Sequence, residues 1–279
     1  MYRDYRVGGM AFRIEKDSDF RDTDETLPFV SSPCEKTILC TFRASESLNI
    51  PGNAPDYEND FLRIYGDLRV FSLPTMARPA ALVRETDGNF ECEYLKEFSS
   101  YFSMAKNLMN AVGLERILNR NDAYVLHCSF LEQNGKAFLF SGPSGVGKST
   151  RADMWIKAGG GRLINGDRAV ISEKNGVWYA SGLPMCGSSK ICLNETLPLK
   201  SIVFLKKSSV NKTEKAGTVF AYKKLTENLL LNVWSEPFMK KADDFVLRLC
   251  GSKLLYVSEC DLTGTSVSEQ TGVILSDEQ

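Results

Sequence analysis

Glycines at fixed spacing before a lysine make residues 141–150 the segment that most constrains how this chain can fold. The sequence there is Ser-Gly-Pro-Ser-Gly-Val-Gly-Lys-Ser-Thr, which matches the pattern G-x-x-x-x-G-K-[ST]. Glycine lets successive backbone N–H groups turn toward a phosphate group, and the N-terminus of a following helix adds positive potential. The predicted nucleotide-binding residues are Gly142, Pro143, Ser144, Gly145, Val146, Gly147, Lys148, Ser149 and Thr150.

Two side chains of this loop have predicted roles of their own. Lys148 is expected to place its charge on the outer phosphates of a nucleotide, and the hydroxyl of Ser149 is expected to bind Mg²⁺. The alternative is a glycine-rich turn between a strand and a helix that binds nothing.

The sequence on either side of the loop favours the binding interpretation. The apolar run Lys136–Phe140 predicts a buried strand that enters the loop. After the loop, Ala152, Trp155 and Ile156 recur at roughly helical spacing, and residues 159–161 are three glycines that end the predicted helix. The order of strand, glycine loop and helix is the one that a phosphate-binding loop requires.

The composition is that of an ordinary globular protein. Of the 279 residues, 43% are hydrophobic and 25% are charged, and the formal net charge is −1. This charge gives no reason to expect nucleic acid or an anionic membrane as a partner. No apolar run approaches the roughly 18 residues that span a bilayer, and the first residues lack the apolar core of a signal peptide. The eight cysteines include no C-x-x-C pair, so we expect reduced thiols in a cytoplasmic protein.

We predict two regions, a β-rich N-terminal region at 1–120 and a nucleotide-binding domain at 121–279. In the first region, an apolar stripe predicts a closing helix at about 98–119, and the acidic segment 15–26 predicts a solvated loop. The dipeptide Asp87-Gly88 predicts a type I′ hairpin. Residues 6–15 are predicted to form a strand or a bulged pair of strands, and the other predicted strands are 36–43, 61–72, 80–86 and 89–95.

In the second region, two Asn-Gly dipeptides predict hairpins. Asn134-Gly135 separates the apolar run 124–132 from the strand that enters the loop, so that strand should have an antiparallel neighbour. Asn175-Gly176 predicts another hairpin, and the sheet should therefore be mixed. Further predicted strands are 162–164, 169–172, 177–181, 201–205 and 253–258, and the predicted helices are 226–234 and 240–250.

Three polar residues near the loop are candidates for chemistry. Asp167 follows the run 162–164, which we predict to be the strand beside the loop, and a carboxylate there can bind Mg²⁺ or act as a general base. Asn-Gly-Asp is also good turn chemistry, so an ordinary turn is the alternative. Arg168 can pair with a phosphate or a carboxylate, or can be a solvated residue. His127 is the single histidine, and a histidine on an apolar strand is most often a core residue with satisfied hydrogen bonds.

Two further segments are polar. Residues 182–190 are predicted to form a flexible loop that closes over a substrate, with Ser188 and Lys190 as candidate substrate contacts. Residues 190–224 carry eight lysines against only Glu195 and Glu214. A solubilising face explains this excess, and the alternative is an electrostatic surface for a nucleotide or an acidic protein partner.

Taken together, the motifs resemble those of a known family. They stand at His127/Ser129, Asn134–Lys136, Gly142–Thr150, Asn165–Arg168 and Asn194–Leu199. The chain from about 121 to 279 is similar to the catalytic domain of HPr kinase/phosphorylase, which is itself similar in fold to phosphoenolpyruvate carboxykinase. It resembles more closely a group of uncharacterised HPr-kinase-like proteins, and serine kinases of lasso-peptide gene clusters are also similar. The resemblance implies an α/β, mixed-sheet P-loop domain preceded by the β-rich region.

The resemblance also implies an activity, that of an ATP- and Mg²⁺-dependent phosphotransferase. Its acceptor would be a hydroxyl group, such as a serine, of a protein, peptide or small molecule. Asp167, Lys148 and His127 would be catalytic, and Ser149 and Asp167 would bind the metal. HPr kinases carry two adjacent aspartates where this chain has Gly166-Asp167, and a glycine where it has Cys128. Their segment for recognising HPr has no match here, so HPr itself is not implied as the acceptor.

Two other functions stay open at this point. The single aspartate favours a nucleotide-binding regulatory module with slow or no ATP hydrolysis. A pyrophosphate-linked or decarboxylating enzyme of the carboxykinase type is the third interpretation, although the residues such enzymes use to bind Mn²⁺ have no counterpart here. A homo-oligomer is compatible with the sequence.

Overall fold

The chain divides into two units, Met1–Leu118 and Asn119–Gln279, in a computed structural model that describes residues 1–34, 37–73, 78–261 and 263–276. None of the helices in these ranges has both the length and the apolar character that crossing a bilayer requires. All eight cysteines fall within the described ranges, and no disulfide joins any two of them.

The first unit is built on a mixed sheet of eight strands. The strands are β1 Tyr2–Val7, β2 Met10–Lys16, β3 Ile38–Ser45, β4 Tyr57–Glu58, β5 Leu62–Tyr65, β6 Leu68–Ser72, β7 Pro79–Thr86 and β8 Asn89–Leu95. Their order in the sheet is β1-β2-β3-β8-β7-β6-β5-β4, and β3 is parallel to both of its neighbours. Two short helices follow, α1 Ala105–Val112 and α2 Leu114–Asn119, and 3₁₀ turns lie at Leu27–Phe29, Lys96–Phe98 and Tyr101–Ser103.

Three predictions for this region need correction. The run 61–72 is a hairpin of β5 and β6, because Gly66 adopts a positive φ of 56° and reverses the chain. The helix predicted at about 98–119 is broken at Gly113, whose φ of 74° ends α1. The acidic segment 15–26 is partly buried, since Asp22 accepts a hydrogen bond from the Tyr5 hydroxyl at 2.8 Å. A carboxylate with a buried partner holds this loop against the sheet.

The second unit contains eight strands and four α-helices within the described ranges. The strands are β9 Tyr124–Gln133, β10 Lys136–Ser141, β11 Arg162–Asn165, β12 Arg168–Lys174, β13 Val177–Ser181, β14 Thr196–Lys207, β15 Lys212–Lys215 and β16 Leu255–Cys260. The helices are α3 Lys148–Gly159, α4 Thr218–Asn228, α5 Glu236–Cys250 and α6 Gly264–Ser276, and a 3₁₀ turn lies at Gly187–Ser189.

Strand pairing in the second unit is mixed, as predicted. The strands follow the order β10-β9-β12-β13-β14-β16-β15, with β11 on β9, and a parallel pairing of β10 with β14 closes five of them into a ring. The long strands β9 and β14 each pair with different neighbours at their two ends. The ring therefore places the strand that enters the glycine loop between β9 and β14.

The predicted Asn-Gly hairpins are confirmed. β9 and β10 are antiparallel, from Gln133 opposite Lys136 to Cys128 opposite Ser141. Asn134 and Gly135 have φ angles of 52° and 71°, both positive as a type I′ turn requires. The dipeptides at 87–88 and 175–176 have the same signs and join antiparallel strands in the same way.

Other predictions for this unit are wrong in part. β11 pairs with β9, so it does not lie beside the strand of the glycine loop. The helix predicted at 226–234 is α4, which ends at Asn228, because Leu229 and Leu230 bond to the edge of β9 instead. The sequence predicted neither β15 nor α6.

Trp155 fixes α3 on the sheet and so fixes the end of the glycine loop. Its side chain is fully buried, and its ring centroid lies 5.4 Å from the ring centroid of Phe138 and 5.4 Å from that of Phe140, both on β10. The indole N–H donates a 2.6 Å hydrogen bond to the amide oxygen of Gln133. On the same helix, the buried guanidinium of Arg151 donates to the Ser266 hydroxyl at 2.7 Å, which holds α6 beside α3. The helix that follows the loop is thus held by both the sheet and α6.

Candidate functional site

The backbone of the loop between β10 and α3 has a shape that depends on glycine. Gly142, Gly145 and Gly147 have φ angles of 146°, 74° and 107°. A Cβ atom on Gly142 would lie 3.3 Å from the carbonyl oxygen of Leu205 and 3.2 Å from the Val146 side chain. Only glycine combines this φ with this close approach to β14. The loop curls tightly from Gly142 to the first turn of α3.

Lys148 points back into this curl. Its Nζ donates hydrogen bonds to the carbonyl oxygens of Gly142 at 3.0 Å and of Pro143 at 3.2 Å, and the residue is 9% exposed. Burial lowers the pKa of the Lys148 ammonium, and the negative charge of Asp167 opposes that effect. Pro143, Ser144 and Gly145 are exposed, so the loop offers its backbone to solvent around a lysine. This arrangement suits the binding of an anion.

The middle of β9 connects the loop to the turn that carries Asp167. On one side, the Ser141 hydroxyl donates to the backbone carbonyl of His127 at 2.9 Å. On the other side, the Cys128 N–H donates to the carbonyl of Asp167 at 3.0 Å, and the Ser129 hydroxyl donates to that of Gly166 at 3.3 Å. Three successive residues of β9 therefore set the position of the Asp167 turn relative to the loop.

The side chains of Asp167, His127 and Arg168 form one charged cluster. His127 Nε2 lies 3.6 Å from one Asp167 oxygen, and Arg168 Nε lies 3.1 Å from the other. About a third of each side chain is exposed. Burial lowers the pKa of His127, the charge of Lys148 lowers it further, and Asp167 raises it. The pKa of the imidazole therefore lies below its usual range, and Lys148, Asp167 and Arg168 all lie close enough to affect it.

Asn165 belongs to the motif Asn165–Arg168, but the sequence predicted no role for its side chain. It is fully buried, and its side-chain oxygen accepts the N–H groups of Asp167 and Arg168, each at 3.0 Å. Its amide nitrogen donates to the carbonyl of Leu183 at 3.0 Å. Asparagine commonly bonds the backbone two residues later in a turn, so Asn-Gly-Asp was the available signal. Asn165 holds the turn and the following loop together.

The 182–190 loop is packed at its beginning and exposed at its end. Leu183 and Cys186 are fully buried, and a Cβ on Gly187 would lie 3.0 Å from the Cβ of Asp167. Ser188 and Lys190 are exposed, and among the described residues no hydrogen bond joins their side chains to Asp167 or His127. The structure places the loop against Asp167, but it does not bring these two candidate substrate contacts into the charged cluster.

Ser149 and Thr150, the remaining candidates, lie on the first turn of α3, and both are exposed. Their hydroxyl groups are accessible beside the buried Lys148. Among the described residues, neither side chain forms a hydrogen bond, so both hydroxyls can take another partner.

A cleft of about 420 Å³ opens on the other side of the loop. It is lined by loop residues 142–146, by the end of β14 and by Phe220 and Lys224 of α4. The sequence pointed to the lysine excess around this position but gave no sign of Phe220, because α4 was predicted about eight residues too late.

Comparison with known proteins adds little to this geometry. No protein-family model matches the chain, and a search among curated proteins finds no significant match. Among solved structures, the chain is similar to the Hpr(Ser) kinase/phosphatase from Coxiella burnetii, with 16% sequence identity and a TM-score of 0.24. That alignment covers 33% of this chain and 72% of the other. A likeness of this size does not establish a shared fold.

Proposed function

We propose that this protein is an ATP- and Mg²⁺-dependent phosphotransferase of the HPr-kinase-like type, which transfers a phosphoryl group to a hydroxyl of a protein, peptide or small molecule. One observation carries the proposal. Three successive residues of β9 connect the glycine loop around Lys148 to the turn that carries Asp167: His127 accepts a hydrogen bond from Ser141 at the start of the loop, and Cys128 and Ser129 donate to the turn. Phosphoryl transfer needs a phosphate-binding group and a carboxylate in such proximity.

The residues of the loop fit the phosphate groups of a nucleotide. The exposed backbone from Pro143 to Gly145 and the N-terminus of α3 supply N–H donors, and Lys148 supplies a positive charge. Ser149 and Asp167 offer the oxygen ligands that Mg²⁺ prefers. When bound there, Mg²⁺ would neutralise negative charge on the phosphates of the nucleotide.

The proposed reaction moves one proton and one phosphoryl group. The oxygen of the acceptor hydroxyl forms a bond to the γ-phosphorus, and the bond from that phosphorus to the bridging oxygen of ADP breaks. Asp167 accepts the hydroxyl proton, and His127 lies beside that carboxylate, with Nε2 3.6 Å from one of its oxygens. The loop and Lys148 contribute mainly by positioning the donor and stabilising its charge.

The alternative is a nucleotide-binding module without an acceptor. The observation that favours it is the Arg168 guanidinium, which lies 3.1 Å from Asp167. A carboxylate that is engaged by an arginine on one oxygen and faces His127 with the other is less accessible to an acceptor hydroxyl. Such a module would bind nucleotide and change conformation, but it would not consume ATP in response to an acceptor.

The deciding experiment incubates the protein with γ-labelled ATP, Mg²⁺ and native-cell lysate, and compares wild type with Asp167→Asn and Lys148→Ala. We expect a labelled acceptor with wild type and a loss of about 10²-fold or more with Asp167→Asn, the scale of a lost general base. ATP binding to Asp167→Asn, measured by calorimetry, should change far less, because the backbone and Lys148 make most phosphate contacts.

A matched control is Asp244→Asn, which removes an exposed carboxylate on α5. Its transfer rate should equal that of wild type. Equal rates for wild type and Asp167→Asn would contradict the catalytic role of Asp167. Nucleotide binding with no acceptor-dependent consumption of ATP in any variant would favour the binding module.

A further inference from the structure

The cleft beside the glycine loop has an apolar wall that phosphate binding does not need. Phe204 and Leu205 of β14 and Phe220 of α4 line it opposite the loop residues. The ring of Phe220 is partly exposed and packs edge-on against Phe204, with centroids 6.1 Å apart. An aromatic face that opens into a cleft next to a phosphate-binding loop is suited to a planar ring attached to a phosphate chain.

Two lysines lie near this aromatic ring. Lys206 Nζ lies 4.9 Å from the Phe220 ring centroid, and Lys224 Nζ lies 5.9 Å from it. Both ammonium groups also pair with partly or fully exposed glutamates, Lys206 with Glu259 at 3.5 Å and Lys224 with Glu227 at 2.6 Å. Surface pairs of this kind are weak, so the ammonium groups can move to a ligand. Base stacking on an aromatic ring is stronger than an exposed cation–π contact, so a base can replace Lys206 over the ring.

The charged residues that line the cleft are all basic. Lys206, Lys207 and Lys224 line it, and none of the residues that line it is acidic. Among the described residues, Lys207 has no ion-pair partner. Ammonium groups donate hydrogen bonds only, and the ring nitrogens of a purine accept them. The lining therefore combines a stacking surface with donors for a heterocyclic base and charge for the phosphates that follow.

We propose that this cleft binds the purine ring of a nucleoside triphosphate, and that the phosphoryl donor is a nucleotide rather than inorganic pyrophosphate. This inference rests on the function proposed above. Pyrophosphate has no apolar part and would leave the partly exposed ring of Phe220 without a stacking partner. Asp167 and His127 do not line the cleft, so the acceptor approaches from a different side of the loop. In-line transfer of a phosphoryl group requires the attacking and leaving groups to lie on opposite sides of the phosphorus.

The test measures the binding of two ligands, ATP and inorganic tripolyphosphate, separately by calorimetry in the presence of Mg²⁺. The proteins compared are wild type, Phe220→Ala and Phe220→Leu. Wild type should bind ATP more tightly than tripolyphosphate. Each Phe220 variant should weaken ATP binding by about 10-fold, the effect expected of one lost stacking contact, and leave tripolyphosphate binding unchanged. Phe220→Leu keeps most of the packing against Phe204, so a fold defect would not account for its effect.

The control is Val219→Ala, the neighbouring residue on α4, which is 85% exposed and does not line the cleft. It should alter neither affinity. Equal binding of ATP and tripolyphosphate by wild type, or equal weakening of both ligands by the Phe220 variants, would overturn the base site. The phosphate loop is tested separately, because Lys148→Ala should weaken both ligands. If wild type binds neither ligand, the proposed function and the base site fail together.

Discussion

His127 reports on the whole charged cluster, because it is the only histidine and two opposite charges act on the pKa of its imidazole. Lys148 lowers the pKa of its imidazole and Asp167 raises it, on top of the lowering caused by burial. The folded protein thus binds a proton at His127 less readily than the unfolded chain does. Its stability should decrease as the pH falls below the unfolded value of about 6.5 toward the lower value of the folded state.

This charge balance predicts opposite shifts in two variants. In NMR titrations, the single imidazole resonance of wild type should have a midpoint below the ordinary value of about 6.5. Lys148→Ala should raise that midpoint, since a nearby positive charge is lost, and Asp167→Asn should lower it, since a negative charge is lost. Lys212→Ala, a change at an exposed residue of the edge strand β15, should leave it unchanged. A midpoint that responds to neither site variant would show that His127 lies apart from the cluster.

At the scale of the element, two glycines of the same loop should respond differently to substitution. Both have a positive φ, but a Cβ on Gly142 would lie 3.3 Å from the carbonyl of Leu205, whereas a Cβ on Gly145 meets nothing within 4 Å. Gly142→Ala must therefore move the loop away from β14. Gly145→Ala carries only backbone strain, about 1 kcal/mol.

We expect Gly142→Ala to weaken binding of Mg-ATP by about 10-fold or more while the protein keeps its fold, and Gly145→Ala to have a much smaller effect. Calorimetry measures the affinities, and circular dichroism checks the fold. Similar affinities of the two variants would contradict the close packing of the loop on β14.

The same elements show what the sequence could predict. Turns at 87–88, 134–135 and 175–176 were predictable, because Asn or Asp before Gly readily adopts the positive φ angles of a type I′ turn. The position of α4 could not be predicted, because the apolar run that starts at Leu229 pairs with β9, a strand about a hundred residues earlier in the chain. β15 is a polar edge strand, and α6 is rich in serine and threonine, so neither shows a clear periodicity.

For the candidate site, local motifs predicted the loop, but not its neighbours. Short sequence patterns were enough to predict Lys148, Asp167 and His127 as site residues. Their proximity, however, depends on the pairing of β9 with β10 and β12. Phe220 reaches the loop only through the packing of α4 near β14. Long-range packing of this kind leaves no signal in a short window of sequence.

On the scale of the whole molecule, the tryptophans provide a selective probe. The chain has three tryptophans, Trp155, Trp178 and Trp234, and all lie in the unit Asn119–Gln279. Tryptophan fluorescence therefore follows the unfolding of that unit alone. The buried thiols of Cys40 and Cys92 belong to Met1–Leu118 and can report on the first unit by their reactivity.

A nucleotide that binds the second unit should stabilise that unit first. With Mg-ATP at about 100 times its dissociation constant, the free energy of unfolding should rise by about 2.7 kcal/mol. We expect the fluorescence transition to shift to higher denaturant, and the labelling of Cys40 and Cys92 to shift less. Lys148→Ala should abolish the fluorescence shift. Equal shifts of both probes in wild type would mean that the two units unfold as one.

The parallel pairing of β10 with β14 has a consequence for synthesis of the protein. A ribosome makes the glycine loop well before it makes β14 and Phe220, so the hairpin of β9 and β10 can form early from neighbouring residues, while the ring closes only after β14 has emerged. Until then the loop lacks the strand against which Gly142 packs. A nascent chain that ends before α4 has no complete cleft, and ATP cannot act as a folding ligand for it. The nucleotide should become a stabilising partner only when synthesis of this unit is well advanced.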